Sequence, residues 1–333
     1  MKRIWFNHWF STAYFIINMI RRENSDIQIV CTNENRLSPI KNMCDEWYQE
    51  PVLLKGIDYV YFCLDFCRQH QIDVFLPRRE MVCISRYKRL FAEQGVQVMV
   101  DTYDLVRPLN DKAETYRVLS AKKIGDIPKH RVVTTADDFV DAYQELTADY
   151  EKVCIKFVKD EGGKSYRLID NERKGYSALF NKLTTRMTYD AVLEALSEKD
   201  SFPPLMVMPY LPGEEISIDC LNTESGLIAI PRVKDHSRIE RIIFEEDVLV
   251  TCGNLIKEFP LECPCNIQFK TLNGVRYLLE VNTRMSGGIH MACEATGVNI
   301  PDIAVNKLLG IQKQWHFEEV PRAVTHVEMP IVL

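Results

Sequence analysis

The sequence predicts an α/β protein with a parallel sheet in its N-terminal part. Apolar runs at residues 3–7, 27–31, 73–77 and 97–100 alternate with helical patterns, the order that produces parallel strands joined by crossover helices. Residues 265–269 and 275–281 alternate or run apolar around a Thr271-Leu272-Asn273-Gly274 turn, which reads as a buried β-hairpin. A strand at Val153–Val158 leads through a glycine loop into another at Tyr166–Ile169.

Taken in order, the strand at residues 3–7 is followed by a helix that Ser11 or Thr12 can cap and that runs to about Arg22. Ile27–Cys31 is the second strand, Tyr59–His70 a helix, Asp73–Pro77 the third strand and Gln97–Val100 the fourth. This unit spans residues 1–107 and lacks GxGxxG, so nothing supports a dinucleotide site. Asn7-His8 and Arg78-Arg79-Glu80 follow the first and third strands, where open parallel sheets bind ligands, and are candidate substrate contacts. Asn110 or Asp111 caps a helix that starts with Lys112 and runs to about Ala121. Residues 176–199 read as a charged helix, and Leu205–Leu211 as an apolar strand ending in Pro212-Gly213. Next come Glu214, Glu215, Ser217 and Asp219, alternating with Ile216 and Ile218, and then a strand at Gly226–Arg232. Helices at 247–258 and Asn299–Leu308 and a final strand at Val324–Met329 complete the reading.

Some polar residues stand where burial would make them costly. Lys156 lies inside Val-Cys-Ile-Lys-Phe-Val, so its ammonium must be paired or reach a cleft. The loop after it holds Gly162 and Gly163, whose backbone N–H groups can fold over phosphates. Glu280 and Asn282 are two apart on one strand and share a face, with Gln268 on the partner strand and Arg284 two residues on. These are oxygen ligands beside a cation, which suits Mg²⁺ and phosphate rather than zinc.

Composition narrows the function classes. The 333 residues are 46% hydrophobic and 26% charged, ordinary for a soluble globular chain of two or three domains. A net charge of −6 gives no support to a general nucleic-acid role. The 11 cysteines are odd in number and irregular in spacing, so reduced thiols in a cytoplasmic protein are expected. The apolar stretch Ile4–Ile20 contains Asn7, His8, Ser11, Thr12 and Asn18 and reads as strand, turn and helix rather than a leader or a membrane span.

The hairpin with Gln268 and Glu280-x-Asn282, continued by Gly287-Gly288-Ile289-His290 and Ala295-Thr296-Gly297, resembles the metal-binding end of the ATP-grasp superfamily. It is most similar in wording to the large chain of carbamoyl-phosphate synthetase. Thr283 departs from the pattern, which usually has Pro there, as does Pro209, where Glu is common. The resemblance covers residues 108–312 and, weakly, the first 107. It implies an N-terminal domain at 1–107 and a two-lobed ATP-grasp module at 108–333, with a mobile lid lobe at about 128–210. It further implies that ATP lies between the lobes, with two Mg²⁺, replaceable by Mn²⁺, on Gln268, Glu280 and Asn282. Lys112, Lys156, Gly162 and Gly163 would then meet the phosphates, Tyr210 and Leu211 the adenine and Glu215 the ribose, while Arg232 and Arg284 offset developing charge. Lys164 would add a phosphate contact, and Lys234, His236 and Arg238 would form a basic loop. The implied reaction joins a small-molecule carboxylate to an amine through an acyl phosphate, in a cytoplasmic enzyme that is a possible homodimer acting on neither nucleic acid nor membrane. The alternatives are a partner-dependent synthetase like carbamoyl-phosphate synthetase and a nucleotide-binding regulatory protein without turnover.

Overall fold

Ile4, Trp5 and Phe6 point alternately to the two faces of the first strand, and both faces are buried. The structure, a computed structural model, describes residues 1–159, 162–172, 185–234, 238–328 and 330–332. The first sheet contains β1 (Lys2–Asn7), β2 (Ile27–Asn33), β3 (Glu46–Gln49), β4 (Val74–Leu76) and β5 (Gln97–Val98), in the order β3-β2-β1-β4-β5. All of its pairings are parallel, as the strand–helix alternation predicts. Ile4, Phe6, Ile29, Cys31, Val74 and Leu76 pack with Ile16, Ile17 and Ile20 of the helix Ala13–Glu23. Trp5, Val30 and Phe75 pack with Tyr59, Val60, Cys63 and Cys67 of the helix Gly56–Gln69. Trp5 stacks on Phe75 at 4.0 Å, which fixes β1 against β4.

The second sheet is β6 (Arg131–Val133), β7 (Val153–Phe157), β8 (Arg167–Ile169), β9 (Arg186–Met187) and β10 (Leu205–Pro209), in the order β6-β10-β7-β8-β9. The helices Ala136–Thr147 and Tyr189–Ser197 pack on it through Phe139, Ala142, Leu146 and Val192. The charged helix expected at 176–199 is found as Tyr189–Ser197, started by Thr188, whose hydroxyl accepts from Ala191 N; residues 176–184 lie outside the described residues. The third sheet is β11 (Glu215–Thr223), β12 (Gly226–Lys234), β13 (Ile239–Ile242), β14 (Cys265–Leu272), β15 (Val275–Asn282) and β16 (Arg322–Thr325), in the order β15-β14-β11-β12-β13-β16. Asn273 and Gly274, at φ 52° and 81°, make the β14–β15 turn, the left-handed pair a two-residue hairpin requires. The last strand ends at Thr325 rather than Met329, which lies outside the described residues.

By packing the chain falls into two compact units. One comprises Met1–Asn110, Glu214–Gln268 and Val281–Leu333, the other Asp111–Gly213 and Phe269–Glu280. All 11 cysteines are free thiols. Among the described residues no helix is long and apolar enough to cross a membrane.

At the carboxyl ends of β1 and β4, Asn7 and Arg79, two of the side chains suggested as substrate contacts, are bonded to protein. Asn7 is fully buried; its amide donates 2.7 Å to Tyr59 Oη and accepts 2.6 Å from Arg78 N. Arg79 donates to Glu50 at 3.0 Å and to the carbonyls of Pro51, Val52 and Leu54. Glu50 has a side chain with no exposure and also accepts from Thr32 and Tyr59. Burial alone would raise its pKa, but hydrogen bonds from Tyr59 and Arg79, with His8 3.6 Å away, hold it below the usual carboxylate range. A depressed folded-state pKa gives stability that is present above the unfolded value, about 4.3, and lost as pH falls through the folded one. Glu50→Gln is therefore expected to cost about 3 kcal/mol at pH 7, because it strands the Arg79 guanidinium. Urea titrations between pH 7 and pH 3 should also show a flatter pH dependence than in the unsubstituted protein.

Candidate active site

Within the first unit, alternation along β11 puts Glu215, Ser217 and Asp219 on one face, and the antiparallel register sets Lys234 opposite Glu215 and Arg232 opposite Ser217. Lys234 Nζ lies 2.9 Å from Glu215. Arg232 is 1% exposed. Its Nε donates to Asp219 at 2.9 Å, Nη1 to Glu240 at 2.5 Å, and Nη2 to Ser286 at 3.0 Å and Ser217 at 3.3 Å. Burial pulls its pKa down, but the carboxylates of Asp219 and Glu240 more than offset this and hold it above the ordinary guanidinium value.

The same network continues onto β14. The Asn266 amide donates to Ser217 Oγ at 3.0 Å, to Ile218 O at 3.1 Å and to Asp219 Oδ1 at 3.0 Å. Gln268 Nε2 donates 3.0 Å to Asn266 Oδ1. An unbroken run of hydrogen bonds thus leads from Gln268 through Asn266 and Asp219 to Arg232 and Glu240. Asn282 and Arg284 are half-buried at the end of β15, and Arg284 Nη1 reaches Met285 O at 3.5 Å.

The second unit gathers Lys112, Lys156 and Glu280. Asp111 caps the helix Lys112–Lys122 by accepting from Glu114 N, as the sequence predicts. That cap sets Lys112 at the first turn, 9% exposed, with Nζ 3.4 Å from Glu280 Oε2. Tyr116, one turn on, donates 2.7 Å to Leu279 O and offers its ring to Lys156 Nζ at 5.8 Å. Lys156 is 8% exposed in the middle of β7, so its ammonium is held close to an aromatic face. Gly162 and Gly163 follow at φ 66° and 65°, successive left-handed residues that only glycine adopts readily. Exposed Lys164 follows them, and the turn closes with Ser165 Oγ accepting 2.8 Å from Phe157 N. Asp160 and Glu161 of this loop, and Asp235, His236 and Ser237 of the basic loop, lie outside the described residues. Tyr210 N donates 2.8 Å to Lys152 O, and Leu211 beside it is buried.

The sequence reading assigned no role to Asp219, Glu240, Asn266 or Ser286, which surround Arg232. The polar alternation of β11 was the available signal for Asp219; Glu240 and Ser286 become partners only through the tertiary fold.

Comparison with known proteins finds the following similarities. A family model described as ATP-grasp in the biosynthetic pathway with Ter operon matches residues 201–329. The arginine-specific carbamoyl phosphate synthase large chain of Geobacillus stearothermophilus is 24% identical over 309 residues, covering 87% of this chain and 27% of that one. The carbamoyl phosphate synthase large chain of Clostridium perfringens is 30% identical over 309 residues, covering 87% and 26%. The chain thus spans about a quarter of the length of these relatives. Among solved structures, N5-carboxyaminoimidazole synthetase of Staphylococcus aureus complexed with ADP matches at a TM-score of 0.70 and 14% identity, over 98% of this chain and 82% of that one. The biotin carboxylase domain dimer of Hydrogenobacter thermophilus 2-oxoglutarate carboxylase, with MgADP and bicarbonate, matches at 0.67 and 18% identity, over 96% and 72%. The fold is therefore the ATP-grasp fold.

Gly288 tests how firmly Arg232 is held. A Cβ there would lie 2.3 Å from Arg232 Nη1 and 2.7 Å from Cζ. The guanidinium cannot swing aside without breaking contacts to Asp219, Glu240 and Ser286. Gly288→Ala is expected to lower stability by about 1–3 kcal/mol, read as a fall of the urea midpoint, whereas alanine at Gly253, inside the helix Glu246–Glu258 with nothing within 4 Å, should leave the midpoint unchanged or raise it.

Proposed function

We propose that this ATP-grasp chain is an ATP- and Mg²⁺-dependent ligase that activates a small-molecule carboxylate as an acyl phosphate and transfers the acyl group to an amine. The observation that supports the reading is the hydrogen-bonded run from Gln268, the metal ligand we propose, to the buried Arg232 on one sheet. The donors fit magnesium. Gln268 gives its amide N–H to Asn266, so its carbonyl oxygen is the end offered to a metal, and Glu280 and Asn282 add two further hard oxygens. When bound, two Mg²⁺ would neutralise phosphate charge; Mn²⁺ offers the same coordination.

The chain's own groups do the rest. In the second unit Lys112 and Lys156 hold phosphate charge, Gly162 and Gly163 turn backbone N–H groups toward it, and Tyr210 and Leu211 give backbone groups to the adenine. In the first unit Glu215, steadied by Lys234, takes the ribose hydroxyls, and Arg232 and Arg284 face the charge that develops on transfer. The attacking carboxylate is already ionised at neutral pH, so no general base is needed for that step. Its oxygen bonds to the γ-phosphorus as ADP leaves; the amine nitrogen then bonds to the acyl carbon as phosphate leaves. We further propose the domain division 1–107 and 108–333, with residues 128–210 as the lid, and a cytoplasmic homodimer, in keeping with the dimeric Hydrogenobacter domain.

A second reading rests on the similarity to carbamoyl phosphate synthase large chains about three times as long: a synthetase that turns over only with a partner. Hydroxylamine trapping and ADP release with Mg²⁺ and a panel of acids separate the readings. Acid-dependent hydroxamate establishes the ligase, turnover only after adding a partner supports the synthetase, and ATP binding without either supports a sensor. Glu280→Gln is expected to lower ADP release by on the order of a hundredfold or more with the circular dichroism spectrum unchanged; undiminished release would remove Glu280 from the metal site.

A further inference from the structure

Two side chains with separate tasks in the proposed site lie against each other. Lys112 Nζ is 3.4 Å from Glu280 Oε2, and both residues belong to the second unit. The backbone on either side of this pair is pinned. Asp111 caps the helix that starts with Lys112, Tyr116 Oη of that helix donates 2.7 Å to Leu279 O, and Leu278 N donates 2.8 Å to Asp126 O. The pair itself is less constrained. Lys112 carries its charge on a flexible four-carbon stem, and the two side chains keep 11% and 24% exposure, so neither is sealed from solvent. While they touch, each weakens the other's task. The ammonium offsets the carboxylate charge that a divalent cation needs and repels that cation; the carboxylate offsets the charge that a phosphate needs. Nucleotide and divalent cation arriving together relieve both. Lys112 turns to phosphate, where Lys156 beside the Tyr116 ring adds a second cation, and Glu280 is released to the metal.

We infer that Lys112 is an exchangeable counter-ion: it pairs with Glu280 until nucleotide phosphate takes it over, so the site admits nucleotide and divalent cation together and discriminates against either alone. The inference rests on the proposed assignment of Lys112 to phosphate and Glu280 to metal, and adds a coupling free energy between the two.

The test measures binding rather than turnover, on the full chain: Mn²⁺ without nucleotide by electron paramagnetic resonance, and ATP without divalent cation by calorimetry in EDTA. Lys112→Met is expected to tighten Mn²⁺ binding roughly three- to fivefold and to weaken ATP binding about tenfold. Glu280→Gln should do the converse, weakening Mn²⁺ binding and tightening metal-free ATP binding roughly three- to fivefold. A merely structural pair would give neither gain. Lys112→Arg keeps a cation beside Glu280 and should stay near the unsubstituted protein in both measurements. Lys159→Met removes an exposed lysine 3.7 Å from Asp111 and should leave Mn²⁺ binding unchanged. Mn²⁺ binding that is unchanged or weaker in Lys112→Met, while Glu280→Gln still weakens it, overturns the exchange and leaves the metal assignment standing. An equal gain in Lys159→Met also overturns it, because the gain is then a general effect of lost charge. Mn²⁺ binding indifferent to Glu280→Gln overturns the exchange together with the metal assignment.

Discussion

A guanidinium with 1% exposure cannot stay charged in a protein interior unless its partners are fixed, and Arg232 sets this requirement for the sheet around it. Asp219 and Glu240 balance it, one across β11 and one across β13, so the three strands must keep their register. A one-residue slip of β12 would turn Arg232 to the opposite face and leave two carboxylates without a cation. Ser217, Ser286 and Asn266 then satisfy the remaining donors and acceptors, and Gln268 hangs from Asn266. The network is fully connected, the condition under which a buried polar cluster specifies structure rather than weakening it.

The second unit solves the placing of lysines differently. Lys112 and Lys156 are long side chains in buried surroundings, with a carboxylate beside Lys112 and an aromatic face beside Lys156. Tyr116 links the two, because its hydroxyl is bonded to Leu279 O while its ring underlies Lys156. Arg232, bonded to two carboxylates and two serines, is instead fixed in position.

Much of this could be read from the sequence where a local rule governs. The parallel sheet follows from alternating runs, the Asp111 cap from its place before Lys112, and the β14–β15 turn from Asn273-Gly274. Other elements carried weak or contrary signals. The helix Tyr103–Leu109 contains Pro108, and β6 is three residues long with two of them exposed. The helix Ala136–Thr147 had a signal in Thr135, which accepts from Asp138 N, but no motif drew attention to it. Asn7 and Arg79 sit where ligand contacts are expected, yet they close a network around Glu50, because strand ends leave backbone and side-chain groups that also need partners. Composition and spacing do not reveal whether such a residue serves the fold or a ligand; its partners do.

Gly287 and Gly288 connect the two halves of the first unit's chemistry. A side chain at Gly288 would occupy the space of the Arg232 guanidinium, and two residues later His290 stacks on Phe15 in the wall of a cavity of that unit. The turn that makes room for the cation therefore also sets the ring that stacks on Phe15. Residues sharing one turn and one charged partner do not act independently, so the effects of substitutions at Gly288, His290 and Arg232 will not add. Substitutions at Phe15, on the opposite side of the stack and on a different helix, can change the shape of the cavity without passing through the Arg232 contacts. The shape of the cavity can thus be altered from the Phe15 side while the charge network that the sheet depends on stays intact.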